Sequence, residues 1–145
     1  MIEFSLWALA ETVIKLAMII MIGLYFIFSN TIMGVLAHAK NGAEMMILIN
    51  EKILNPIFLG VFFISGVGSL VLFIFSSGLV STAGAVFFVG TVAVTIVYNV
   101  PLNNQLRDAS APQRATIWQA YLSKWVLWNH LRTCSGVIAG LLLCL

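Results

Sequence analysis

Long apolar runs alternate with short polar connections along this chain. Four runs stand out, over about residues 13–37, 55–76, 79–100 and 125–145. Each holds close to the ~20 residues that a helix needs to cross roughly 30 Å of hydrocarbon. The first is interrupted once, by the polar patch Ser29-Asn30-Thr31. A polar connection from His38 to Glu44 follows, then a short amphipathic stretch through Ile53. Asn55-Pro56 reads as a helix start, with Asn as cap and Pro at the first helical position. Ser76-Ser77-Gly78 is a minimal turn and predicts that spans two and three form an antiparallel hairpin. Pro101 removes a backbone donor and frees the carbonyl of Val97, so it ends or kinks span three.

Span four is entered through an aromatic stretch. Trp118, Tyr121, Trp125, Trp128 and Arg132 recur at steps of three and four, which predicts four rings and a guanidinium on one helix face. The uncharged run from Thr133 to Leu145 follows directly. An aromatic, basic collar opening onto an apolar segment is how a helix enters a bilayer. The pattern predicts a single all-α domain, an integral membrane four-helix bundle.

Composition agrees. Of 145 residues, 61% are hydrophobic and 8% charged, with a mean hydropathy of +1.07. Soluble domains carry about 25% charged residues, so lipid must be the main solvent. A net charge of +2 gives no basis for a nucleic-acid partner. The first charges are Glu3, Glu11 and Lys15, not the basic leader of a signal peptide, so the first run is read as a true span. Ile2 to Ala10 is expected to add turns to it. Cys134 and Cys144 lie ten positions apart, about 15 Å on one helix, which is beyond disulfide reach.

The basic residues assign sides. Lys40 and Lys52 flank the first connection, Arg107, Arg114 and Lys124 lie in the third, and Lys15 alone belongs to the other side. The positive-inside rule then places connections one and three in the cytoplasm and both termini outside. The expected location is a bacterial inner membrane.

Polar residues of several spans converge on the cytoplasmic leaflet. Asn30 and Arg132 each lie seven positions inside their span ends, about 10 Å deep. Asn99 approaches with Thr95 from span three, Asn55 from span two, Asn129 and His130 from span four. An intramembrane charge costs around 2.5–3.5 kcal/mol on insertion scales and usually faces a bundle interior. These residues predict a polar pocket with Arg132 as its strongest donor. The plainer readings are that Arg132 snorkels to the headgroups and that Asn55, Asn103 and Asn104 cap helix ends beside their prolines.

Other chemistry has less support. His38 and His130 fall on one side, and a haem b held between them is an alternative to a cofactor-free site. The methionines invite copper(I), but methionine is ordinary apolar filler. No HExxH, GxSxG, Walker or dinucleotide fingerprint occurs. None of the five carboxylates lies deep in a span, which argues against a proton-driven transporter.

Four motifs, FSNTIM at Phe28 to Met33, IN at Ile49-Asn50 with ILNP at Ile53 to Pro56, NVPLNNQL at Asn99 to Leu106 and WVLWNHLRT at Trp125 to Thr133, resemble the anthrone oxygenase-like family of small four-helix membrane proteins. Some fungal relatives are associated with oxidising anthrones to anthraquinones, using molecular oxygen and no well-established cofactor. The resemblance implies motif positions at Asn30, Asn55, Asn99, Pro101, Asn103, Trp125, Asn129, His130 and Arg132. In the mechanism it implies, His130 serves as base. Arg132 with Asn99 or Asn129 holds the enolate oxygen, and Trp125 and Trp128 stack on the substrate rings. The expected partners are the lipid bilayer and a hydrophobic, anthrone-like or quinone-like aromatic. The competing readings are a non-enzymatic subunit that binds a lipid, quinone or pigment, as a homo-oligomer or within a larger complex, and a small transporter.

Overall fold

The computed structural model describes residues 5–145, so part of the expected extension from Ile2 to Ala10 lies outside the described residues. Five helices account for nearly all of them, and no strand occurs among them. Helix α1 runs Leu6–His38, α3 Pro56–Phe75, α4 Gly78–Arg107 and α5 Ala111–Cys144. The shorter α2, Gly42–Ile53, joins α1 to α3. The four long helices are each long and apolar enough to cross a membrane, and the chain is an integral membrane protein. They pack as a ring in which α1 lies between α3 and α5, and α4 closes the other side.

Local chemistry explains the joints. Asn55 Oδ1 accepts from the backbone N–H of Ile57 and Phe58 at 3.1 and 3.0 Å, and Pro56 opens α3. At the α3–α4 turn Gly78 takes φ +59°, a conformation that costs glycine little and other residues more. The Ser81 hydroxyl then donates to the Phe73 carbonyl at 2.7 Å across the hairpin.

Two helices run past the spans expected of them. The helix that carries span three does not end near residue 100 but continues through Pro101 to Arg107. Just before the proline, Thr95–Asn99 is wound as a π turn, in which the N–H of Val100 reaches back to Thr95. This widening relieves the clash of the proline ring with the preceding turn, so the helix bends its winding instead of ending. The helix that carries span four begins before 125; the aromatic stretch belongs to one helix of 34 residues. At the helical rise that is about 51 Å, well beyond the roughly 30 Å of a hydrocarbon core, so its first turns project past the membrane.

The core has two apolar halves. One gathers Met18, Met21, Tyr25, Leu72 and Phe87. The other, around α2, gathers Phe28, Met46, Leu106, Tyr121 and Trp125. Polar side chains from α1, α4 and α5 meet where the two halves join.

Candidate functional site

That junction is built around Arg132, 6% exposed. Its Nη1 donates to Thr95 Oγ1 at 3.1 Å and its Nη2 to Asn129 Oδ1. Asn129 Nδ2 in turn donates to the Tyr25 carbonyl at 3.1 Å and to Ser29 Oγ at 2.7 Å. Thr133 donates to the Asn129 carbonyl at 2.9 Å, which leaves Ser29 as the donor to Thr133 at 2.8 Å. Thr95 donates to the Thr91 carbonyl at 2.7 Å. Every hydroxyl in this set donates once and accepts once, so the network is closed and directional. Asn99, 1% exposed, ties α4 to α5 through Nδ2 to the Trp125 carbonyl at 3.3 Å.

Among the described residues the guanidinium has no carboxylate partner. The ion pairs among the described residues are Lys15–Glu11, Arg107–Asp108 and Arg114–Glu44. Arg132 is instead flanked by rings, its Cζ 4.5 Å from the Tyr25 centroid and 5.2 Å from that of Trp125. Cation–π contacts of this kind give about 0.5–2 kcal/mol. That falls short of the several kcal/mol lost when an ion leaves water. The site carries an uncompensated positive charge.

Beside it opens a cavity of about 240 Å³, slightly below the roughly 300–1,000 Å³ of small-molecule pockets. Its walls are largely apolar, with Phe28, Phe58, Phe62 and Trp125 among them. Five of its lining residues carry a buried polar atom without a partner: Tyr25 Oη, Asn50 Nδ2, Asn99 Oδ1, Trp125 Nε1 and Arg132 Nε. Buried polar groups are normally paired because each orphan costs about 1–3 kcal/mol. Four of these five atoms can donate, so together they best complement a hydrogen-bond acceptor.

The structure sorts the sequence-predicted residues. Asn99, Trp125, Asn129, Arg132 and Asn103 line the cavity, with Asn103 accepting from the Tyr121 hydroxyl at 2.8 Å. Asn55 does not; it is the α3 cap. Asn30 lies on the outer surface, bonded to its neighbour Thr31. Trp128 is not on the inward stripe, which runs Trp118, Tyr121, Trp125, Asn129, Arg132. At 3.6 residues per turn the inward face drifts from a strict seven-residue repeat, and Asn129 takes the place expected for Trp128. Trp128 stacks on Tyr98, centroids 3.7 Å apart. His130 lies on the outer surface and away from the cavity. The expected role of His130 as base is therefore not carried forward to the cavity. His38 is also exposed, its Nδ1 against the Gly34 carbonyl at 2.8 Å. Neither histidine lines the cavity.

Tyr25, Asn50 and Glu51 line the cavity and were not singled out as site residues by the sequence. Tyr25 sits in an apolar run where an aromatic reads as filler. Its signal was the four-residue spacing to Ser29, which places both on one face.

No curated protein and no solved structure matches this chain. The family profile described as anthrone oxygenase matches residues 43–142. The matched stretch takes in α2, α3, α4 and nearly all of α5, and with them every cavity residue outside α1. The chain belongs to the anthrone oxygenase family.

Proposed function

We propose that the protein is a membrane oxygenase that binds a flat, lipophilic, enolisable aromatic ketone of the anthrone type and oxidises its methylene carbon to a carbonyl with molecular oxygen. The observation that carries this reading is the buried Arg132 guanidinium, set between two aromatic rings at the cavity and lacking any carboxylate. Loss of a methylene proton turns such a ketone into an enolate. A fixed positive charge with unpaired donors stabilises that anion more than the neutral ketone, and differential binding of this kind accelerates a reaction. Trp125, Phe28 and Phe58 supply apolar walls for the rings.

The reaction balances without a further reductant. The ketone's CH2 and one O2 become C=O and one water, and the substrate's own anion supplies the electrons. No cofactor is invoked. In the same reading the protein lies in a bacterial inner membrane with the cavity end facing the cytoplasm. The excess of Lys and Arg at the α1–α2 and α4–α5 ends supports this orientation.

The test is to incubate the detergent-purified protein with anthrone in aerated buffer. Oxygen uptake and anthraquinone formation are followed against a protein-free control. Enzyme-dependent quinone formation in 1:1 ratio with oxygen consumed is expected. Saturable binding without turnover would remove the oxygenase reading and leave a binding protein.

A further inference from the structure

We infer that Glu51, on α2 at the edge of the cavity, is the base that takes the methylene proton; this rests on the oxygenase reading above. The chemistry requires a group that accepts a proton from carbon within reach of the cavity. The cavity's polar residues are mostly unsuited. Arginines are cations, asparagine amides are not bases, and Tyr25 would first have to lose its own proton. Glu51 is the one carboxylate that lines the cavity.

It is also free to act. The carboxylates of Glu11, Glu44 and Asp108 are paired with Lys15, Arg114 and Arg107. Glu51 is the one acidic side chain among the described residues with no ion pair. Its residue is exposed on one side and borders the cavity on the other, so a proton received inside can pass to water. Arg107 also lines that edge; its guanidinium is bonded to Asp108 at 2.9 Å and is near enough to feel the Glu51 charge without forming an ion pair with it.

The step closes as follows. A C–H bond of the methylene breaks, the proton goes to a Glu51 carboxylate oxygen, and the electron pair moves to the ketone oxygen, where Arg132 holds the charge. The anion then adds to O2 through carbon, and the proton on Glu51 is returned to give a hydroperoxide. Glu51 removes the remaining C–H proton as the O–O bond breaks. Hydroxide leaves, combines with that proton as water, and the new carbonyl remains.

The experiment isolates the proton step from the oxygen step. Anthrone deuterated at the methylene is incubated anaerobically with the full-length protein in detergent, and loss of deuterium to solvent is followed by mass spectrometry. Aerobic quinone formation is measured in parallel. Glu51→Gln is expected to lower both rates about 10²–10⁴-fold, with anthrone still quenching Trp fluorescence as in the parent. Glu51→Asp keeps the carboxylate and should recover part of both rates, which separates loss of the base from loss of folding. Glu44→Gln, on the same helix but paired outward with Arg114, should match the parent. A Glu51→Gln protein that exchanges and oxidises at parental rates overturns the role of Glu51 and leaves the oxygenase reading standing. A parent protein that neither exchanges deuterium nor forms quinone overturns both.

Discussion

The guanidinium of Arg132 lies 4.5 Å over the ring of Tyr25, a cation held by an aromatic face where a carboxylate would ordinarily stand. The arrangement joins α1 to α5 and leaves the positive charge available to a bound anion. It also separates what Arg132 does for stability from what it does for chemistry.

Arg132→Met should remove turnover of anthrone by about 10²–10³-fold, the usual loss when a fixed donor to a developing oxyanion is deleted. Stability should not fall with it. The substitution leaves the Asn129 acceptor unpaired at about 1–3 kcal/mol, but relieves a buried charge that costs several kcal/mol. A thermal midpoint in detergent at or above the parent's, together with lost activity, is the expected result. A collapse of the midpoint would make Arg132 a structural residue.

Asn129 carries the opposite balance. Asn129→Ala deletes both donors to α1 and the acceptor for Arg132, and should destabilise by about 1–3 kcal/mol for each buried group left unpaired. Asn30→Ala, on the outer surface of α1, should stay within about 0.5 kcal/mol of the parent. Unfolding both variants in a graded denaturing detergent measures the contrast.

His130→Ala should leave both turnover and stability near parental values, since the ring is exposed and lies outside the cavity. A loss of activity beyond about tenfold, in the range expected for removal of an acid–base group, would return His130 to the site.

Gly84 sits where α4 crosses α3. A Cβ there would meet the backbone carbonyl of Ser69 and the backbone nitrogen of Phe73, the latter at 2.7 Å. Backbone cannot yield as a side-chain tip can, so Gly84→Ala should cost about 1–3 kcal/mol through overpacking. Gly23→Ala, with open space around it, should be neutral or stabilising, because alanine favours a helix by about 1 kcal/mol over glycine.

The architecture was legible in the sequence because membrane burial is a one-dimensional signal. Apolar run length, the Asn55-Pro56 start and the Gly78 turn each act locally, and each reappears where the spacing put it. Arg132 and Asn129 were legible for a related reason. Polar groups in hydrocarbon are costly, which favours an interior position, although the same reasoning placed Asn30 and His130 inward and both lie on the outer surface. What the tertiary structure decided was rotation about the helix axes. A difference of one residue turns a side chain by 100°, and it separates Asn129 inside from His130 outside. The π turn before Pro101 adds a residue to one turn of α4, a winding that no periodicity in the sequence announces. Tyr25 and Glu51 became site residues only when α1 and α2 were brought against α4 and α5. An aromatic in an apolar run and a carboxylate on a short polar helix acquire their chemistry from neighbours distant in sequence.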